Sequence, residues 1–476
     1  MKSLAASLPL LLVAPAALSA EAEWPMFRGP NASGVSLNAR PPLAIGPTNL
    51  VAWQMPVPGA PSSPVVAGDR LFLTAFAEGK LQTRGYSAKD GSLLWTAILA
   101  ADKLEEFHAT EGSPAAASPA TDGATVVSYF GSAGLAAYDA NGRERWTHRL
   151  PVAVTSGNFG SGTSPLIHDG KVFLNRDQTR GSLILALSLK DGKRLWETSR
   201  PESPTSFGSP IVWTHSGVTE IVASGALSMR AYDPATGAER WVLRGLPSFT
   251  CTTPVLGQDL LFFAGWSPGK ADSPWPTWES TVEKADKNGD GWIALEEFED
   301  GPAWFKAQDL DGNGRLERAD WEAMGGLMKR GENVLLAVKP GGAGDVSGTH
   351  VAWRFTRGLP YVPSPLYYDG RVYLIRDGGM ASSFNAATGE PYYTQERIGT
   401  MGGYYASPVA ADGRLYLASL QGVVSVLKAG GGKPEILHRA DFGEKIAATP
   451  ALAGRRLYLR TESKLYAFEE TALAAR

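Results

Sequence analysis

One cysteine, Cys251, in 476 residues excludes an intrachain disulfide and a cysteine-based zinc site. In an exported protein such a lone thiol is expected to be buried and inert. The six histidines follow no spacing that would gather a zinc ion. No run of about 18 apolar residues follows the N-terminus, so no membrane span is expected. Lys and Arg number 45 against 48 Asp and Glu, for a net charge of -3. That balance leaves no basic footprint for nucleic acid. There is no glycine loop followed by Lys-Ser/Thr to cradle a phosphate, and no nucleophile motif.

What is present is turn chemistry and apolar strand. The chain has 54 glycines and 33 prolines, with 43% hydrophobic and 20% charged residues. That composition suits a packed core cut by many turns. Residues 1–22 stand apart. Lys2 supplies a positive start, Leu8–Leu18 an apolar centre, and Ser19, Ala20 and Ala22 small residues. This is the pattern of an export signal peptide, and no cysteine near its end offers a lipid anchor. A soluble periplasmic or secreted monomer is expected.

The stretch Thr163–Trp196 shows the repeating unit. Ser164-Pro165 opens it, Asp169-Gly170 turns the chain, and two further apolar strands lead through Asp191-Gly192 to Trp196. Four short strands with such turns make an antiparallel meander. The opening recurs at Ser63-Pro64, Ser118-Pro119, Ser164-Pro165, Ser209-Pro210, Thr253-Pro254, Ser364-Pro365, Ser407-Pro408 and Thr449-Pro450. The spacings are 55, 46, 45, 44, 111, 43 and 42 residues, near a four-strand blade period. The closing strand recurs as Gly-x-x-x-Trp at Gly91/Trp95, Gly142/Trp146, Gly192/Trp196 and Gly237/Trp241. Trp353 ends the fifth copy, and Tyr393 and Leu437 stand for Trp in the sixth and seventh. The indole is expected to wedge between sheets with its N–H on backbone.

The eighth copy stops after three strands. The strand around Trp53, within residues 49–57, supplies the fourth, which would remove free sheet edges. The expected fold is therefore all-β: an eight-bladed β-propeller closed by the N-terminal strand, with a small α-helical insertion in the fifth blade. Its parts are a signal peptide (1–22), an arm (23–48), a first propeller part (49–265), the insertion (266–332), a second propeller part (333–470) and a tail (471–476).

The insertion carries two segments that match D-x-[DN]-x-[DN]-G-x5-E, the calcium-loop pattern of EF-hands. In the first, Asp286, Asn288, Asp290, the Trp292 carbonyl and a bidentate Glu297 are the oxygen ligands. Gly291 permits the sharp turn, and Ile293 is placed to pair loop to loop. In the second, Asp309, Asp311, Asn313, the Arg315 carbonyl and Asp320 fill the same places. Asp320 is one methylene shorter than the usual Glu, so a weaker, more magnesium-tolerant site is expected. Helices are expected over 276–285, over 295–308 with a break at Gly301-Pro302, and over 321–330. A structural ion is one reading; a sensor that opens to expose Trp278, Trp304 and Phe305 is the other.

The Gly-x-x-x-Trp strands and Ser/Thr-Pro openings resemble the pyrroloquinoline-quinone-type propeller repeat. The arm Trp24–Ser36 (WPMFRGPNASGVS) is similar to the N-terminal signature of exported bacterial members. The resemblance implies the fold but is weak for function. One branch comprises quinone-dependent alcohol dehydrogenases, which use an adjacent Cys–Cys disulfide, a catalytic Asp and a calcium in the funnel. The Cys pair is absent here, so pyrroloquinoline quinone has no recognisable site. Another branch is the protein-binding propeller lipoprotein of outer-membrane barrel assembly, whose anchor Cys is also absent.

Loops preceding each Ser/Thr-Pro should ring one channel mouth. They carry His108, Glu111, Asn158, Phe159, Phe207, Phe249, Tyr361, Tyr404, Tyr405, Glu444 and Lys445. These aromatics and charges could hold a protein segment, a carbohydrate or a quinone, or simply form a packed mouth. Arg176-Asp177 and Arg376-Asp377 are expected to be intramolecular ion pairs, or channel-facing acids. The leading expectation is an exported calcium-binding scaffold; the alternative is a quinone-dependent oxidoreductase.

Overall fold

Asp169 and Gly170 have φ of 47° and 68°, and Asp369-Gly370 and Asp412-Gly413 repeat the pattern. Two successive residues at positive φ reverse a chain with the twist of the flanking strands, which is why Asp-Gly occupies these sites. A computed structural model describes residues 23–470 except 109, 269–274 and 400. The signal peptide expected over 1–22 and the tail at 471–476 lie outside the described residues.

The turns link short strands into eight antiparallel sheets, an eight-bladed β-propeller. In the third sheet, Leu166–His168, Lys171–Arg176, Leu183–Ser188 and Arg194–Ser199 follow one another in order. The last sheet is built from both ends of the chain. Val51–Pro56 pairs antiparallel with Lys464–Glu469, which continues to Arg456–Arg460 and Ala451–Ala453. The fourth sheet gains a short parallel strand, Gly344–Asp345, against Glu239–Arg244. Apolar side chains of adjacent sheets interleave, as where Tyr129 and Leu135 meet Leu174 and Leu185.

Two devices recur at every blade junction or nearly so. The first explains the hydroxyl before each proline. The Ser63 N–H donates to Ser118 Oγ at 2.8 Å, Ser118 to Ser164 at 3.0 Å, and Ser164 to Ser209 at 3.0 Å. The chain of bonds continues from Ser209 to Thr253, Ser364, Ser407 and Thr449, each at 2.9 or 3.0 Å. The Thr449 N–H then donates to Ser63 Oγ at 3.0 Å, so eight bonds form a closed circle. All eight residues are buried, where an unpaired backbone N–H would be costly.

The second device is the tryptophan. Trp146 Nε1 donates to Leu189 O at 2.8 Å, and its indole covers Gly192 of the next blade. A Cβ at Gly192 would lie 2.6 Å from the ring. Trp53, Trp95, Trp196 and Trp353 likewise reach backbone carbonyls of the next blade at 2.9–3.2 Å. The Gly of each motif is thus a seat for the preceding blade's Trp. Trp241 differs: it precedes the irregular fifth blade, and its N–H turns to Glu220 at 3.0 Å.

Tyr393 takes the Trp register opposite Ser383. Leu437 does not. In the seventh blade the register passes from Val426↔His438 to Leu427↔Ile436, which leaves Leu437 in the bulge and exposed. His438 occupies the Trp position and bonds to Ile45 O at 2.6 Å. The simple Gly-x-x-x-Trp count slips here because residues 429–434 form a longer turn.

The arm lies across the inner strands. Trp24 exchanges two backbone bonds with Val66, Asn31 two side-chain bonds with Val212, and Ser36 donates to Ala410 O. Arg28 is fully buried and reaches Pro365 O at 2.6 Å. Burial pulls its pKa down to about 9.

In the fifth sheet, the chain leaves Leu260–Gly265 and returns at Val334–Val338. Between them lie helices α1 (Trp278–Ala285), α2 (Pro302–Gln308) and α3 (Arg318–Arg330), with a 3-10 turn at Leu295–Glu297. The helix expected over 295–308 is therefore two pieces, because Gly301 (φ 85°) and Pro302 start a new one. Trp278, Ile293, Phe305, Leu316 and Trp321 form a small separate core. Among the described residues no helix is long and apolar enough to cross a membrane.

A roofed channel mouth and two acidic loops

The loops after α1 and α2 fold alike, residue for residue. Asp286 accepts from Gly289 N at 2.7 Å and Gly291 N at 2.9 Å; Asp309 accepts from Gly312 N at 2.7 Å and Gly314 N at 3.0 Å. Asn288 accepts from Asp290 N, and Asp311 from Asn313 N. Asp290 accepts from Trp292 N, and Asn313 from Arg315 N. At the twelfth position, Glu297 takes Lys287 N and Ala294 N at 3.0 and 2.9 Å. Asp320 takes Leu310 N and Glu317 N at 3.0 and 3.1 Å. The shorter Asp320 stem thus makes the same two bonds as Glu297.

Glycines with positive φ occupy the fourth and sixth places of both loops. Ile293 and Leu316 exchange backbone bonds at 3.0 Å and tie loop to loop. Arg315 lies over the Trp292 ring at 4.4 Å. Bonds from Gly291 and neighbouring backbone N–H groups hold the Asp286 carboxyl below its usual range. Among the described residues, no three His, Cys, Asp or Glu side chains gather as a ready metal cluster. Calcium loops of this kind draw on Asn and carbonyl oxygens as well as carboxylates. The donor set, all oxygen and mostly anionic, suits a hard cation.

The helical segment sits on the channel mouth. α2 packs on the 3-10 turn Ser156–Asn158, with Trp304 edge-on to Phe159 at 6.5 Å between centroids. Lys306 pairs with Glu106. Arg180 of the third blade donates to Asp309 O at 3.0 Å, which links the second loop directly to the propeller. On α3, Met324 and Leu327 bury against Ala226, and Ser248 Oγ donates to Leu327 O at 3.1 Å. Trp278 and Phe305 are buried in the segment's own core, while Trp304 is 40% exposed.

Under this roof is a cavity of about 920 Å³. The mouth residues Phe159, Phe207, Phe249 and Tyr361 form its floor, and Trp275, Trp304, Trp321, Met324 and Met328 its roof. Among the described residues, Asp300 and Lys329 are the charged ones that line it. Burial pushes the Tyr361 hydroxyl well above its ordinary pKa, so it stays neutral. The other expected mouth residues lie apart. Tyr405 donates to Glu111 at 2.9 Å, Lys445 to Thr110 O at 2.7 Å, and Glu444 accepts from Ser463 N at 2.9 Å. His108 stacks on Phe159 at 5.7 Å, the Asn158 N–H closes its turn on Thr155 O at 3.2 Å, and the Tyr404 N–H donates to Asp377 at 2.8 Å.

The two Arg-Asp dipeptides are not ion pairs within themselves. Asp177 is clasped by Arg200 at 2.7 and 3.0 Å, both fully buried, while Arg176 reaches Tyr129 at 3.2 Å and Pro151 O. In a strand-to-loop turn, neighbouring side chains point apart, so each finds a partner elsewhere. Burial works against the Arg200 charge, yet Asp177 and Tyr232 hold its pKa above the usual value. Arg376 bonds to Gln395 at 2.7 Å.

Beside this network lies Glu105, which the sequence reading missed. Ser161 donates to its Oε2 at 2.8 Å, and its Oε1 is buried without a partner. Burial pushes its carboxyl up to about 7, against the pull of Ser161 and Arg176. Gly131 makes room for it: a Cβ there would lie 2.2 Å from Oε2. Cys251 is half-buried as a residue. Burial of the thiol pushes its pKa up to about 12, which makes it a poor nucleophile.

Pyrroloquinoline quinone is a planar tricarboxylate. Among the described residues that line the roofed cavity, Lys329 is the one cation and Asp300 the one acid, a donor set that does not fit that cofactor.

Residues 103–245 match the family described as outer membrane protein assembly factor BamB. No curated protein matches the chain. Among solved structures, BamB from Moraxella catarrhalis is similar at 14% identity and a TM-score of 0.54, over 89% of this chain and 98% of that one. A computationally designed protein, Ika8, is similar at 9% identity and 0.54, over 89% and 100%. A quinohemoprotein alcohol dehydrogenase from Pseudomonas putida is similar at 12% identity and 0.52, over 94% and 80%. At these identities the likeness establishes the propeller fold and leaves function to the site.

Proposed function

We propose that this chain is an exported β-propeller scaffold that holds calcium in an EF-hand-like pair of loops and a partner or ligand at the roofed mouth. On this reading the strand around Trp53 closes the ring, and the helical segment is an insertion into the fifth blade. The observation that carries it is the matched bonding of the two loops, down to Asp320 repeating the bonds of Glu297. Each loop fixes its acidic oxygens with backbone N–H groups and leaves further lone pairs for an ion. Asp286, Asn288, Asp290, the Trp292 carbonyl and Glu297 would hold one calcium. Asp309, Asp311, Asn313, the Arg315 carbonyl and Asp320 would hold a second. When bound, the ion supplies the positive charge around which these oxygens converge, and part of the segment's folding energy.

Its place on the mouth argues for a structural ion that keeps the roof in position. The export signal expected over 1–22 and the match to a BamB-type family support a periplasmic or secreted location and a protein partner. Calcium calorimetry on the purified chain tests the loops: two binding events are expected, and Asp286→Ala with Glu297→Ala should remove one. Absence of binding heat at millimolar calcium would sink the reading.

A further inference from the structure

We propose that Glu105 is a proton-operated latch on the roof: its neutral carboxyl lets two mouth loops pack together under α2, and its ionisation parts them and releases α2. This goes beyond the mouth-binding reading and does not depend on an ion in the acidic loops. Glu105 is 2% exposed, and its N–H donates to Ser132 Oγ at 2.9 Å. Its Oε2 accepts from Ser161 at 2.8 Å, while Oε1 is buried without a partner. That one side-chain bond joins the loop at 104–108 to the loop at 155–161. The loops interlock beside it. A Cβ on Gly112 would lie 2.4 Å from Phe159 O, and one on Gly160 would lie 3.5 Å from the Phe107 Cβ. The same loops carry α2. Glu106, the next residue, pairs with Lys306. Phe159, two residues before Ser161, stacks on His108 and meets Trp304 edge-on. These two contacts of α2 thus lie within two residues of the Glu105–Ser161 bond.

Among the described residues, the titratable groups that face this carboxyl are Arg176 on the third blade and Tyr129 on the second. Arg176 is turned to the Tyr129 hydroxyl and to Pro151 O rather than to Glu105. Burial keeps Tyr129 neutral. On the loop of Glu105 itself, Glu106 and His108 are turned to Lys306 and Phe159. An ionised Glu105 would therefore be a buried charge with a single side-chain donor, which is costly. The neutral acid is the form that fits, and burial pushes the carboxyl up to about 7. As pH rises through that value, the packed loops lose their advantage over an opened state in which the carboxylate reaches water.

Hydrogen–deuterium exchange on the full chain between about pH 5 and pH 8, corrected for intrinsic exchange, reads the latch. Opening of 302–308 should increase about tenfold from pH 6 to pH 8. It should level off above about pH 7, where the packed carboxyl has itself ionised. The α3 stretch 318–330 is held separately by Met324 and Leu327 on Ala226 and by Ser248 on Leu327 O, and should show no such step. Glu105→Gln should keep 302–308 at its low-pH protection throughout. His108→Phe, which retains a ring against Phe159, should keep the step. Ser161→Ala removes the bond that favours the ionised form and should move the levelling point up by about one pH unit. That shift decides the matter if Glu105→Gln fails to fold, and an unmoved levelling point overturns the latch. So does the absence of a step in the parent chain, a step that survives Glu105→Gln, one lost in His108→Phe, or one shared equally by α3.

Discussion

In the propeller, buried backbone N–H groups at the blade openings find the hydroxyl of the next blade, and eight such bonds return to their start. In the helical segment, the backbone N–H groups of two loops point at carboxylates instead. The first arrangement is neutral and complete in itself. The second concentrates Asp286, Asp290 and Glu297 in one loop and Asp309, Asp311 and Asp320 in the next, and like charges so close repel. The ring carries its own stabilising partners, whereas the proposed function has the segment completed by a cation. The two meet at the mouth, where α2 and α3 lie on loops of the second to fifth blades. That contact makes the roof a sensitive reporter of whichever unit is disturbed.

The sharpest way to strike the ring alone is at its wedges. Trp146→Ala would empty the seat over Gly192 and orphan Leu189 O, and should cost about 3–5 kcal/mol in denaturant unfolding. Calcium binding by the segment should persist in that variant below its unfolding midpoint. Next in size is Glu105→Gln. The folded-state pKa near 7 lies above the unfolded value, so the neutral acid is favoured on folding. Its stabilising contribution is full below the unfolded pKa and disappears as pH rises through 7. The Gln variant should therefore be more stable than the parent above pH 7, by up to about 3 kcal/mol, with the difference shrinking towards pH 4.5. Thermal unfolding across pH reads this directly, and a constant difference would contradict it.

Ser164→Ala breaks one bond of the hydroxyl circle and strands the buried Ser118 N–H. A loss of about 1–3 kcal/mol is expected, with no effect on the acidic loops. The smallest change sharpens the segment. Asp320→Glu restores the longer stem and should tighten calcium at the second loop by about tenfold, while propeller stability stays the same.

Much of the ring could be read in the sequence because its devices are local. Asp-Gly turns, Ser/Thr-Pro openings and Gly-x-x-x-Trp strands each sit within a few residues. The loop pattern was legible for the same reason. What the sequence did not show is pairwise and distant. The hydroxyl acceptor of each Ser/Thr-Pro lies one blade away, and Asp177 chose Arg200 over its neighbour Arg176. The bulge that seats His438 in place of Leu437 depends on pairing register. The roof was also invisible, since nothing local in the sequence of α2 and α3 says that they fold back over Phe159 and Phe249. Met324 and Met328, spaced by four on a helix, were a faint signal for a second apolar face.

Hydrogen–deuterium exchange on the full chain, with calcium and with chelator, compares the two regions in one measurement. Calcium should slow exchange across 278–330 and at the facing loops 156–159 and 226–227, and leave the inner strands of the ring unchanged. Equal exchange of 278–330 in the two conditions would contradict an ion-completed roof on a self-sufficient ring.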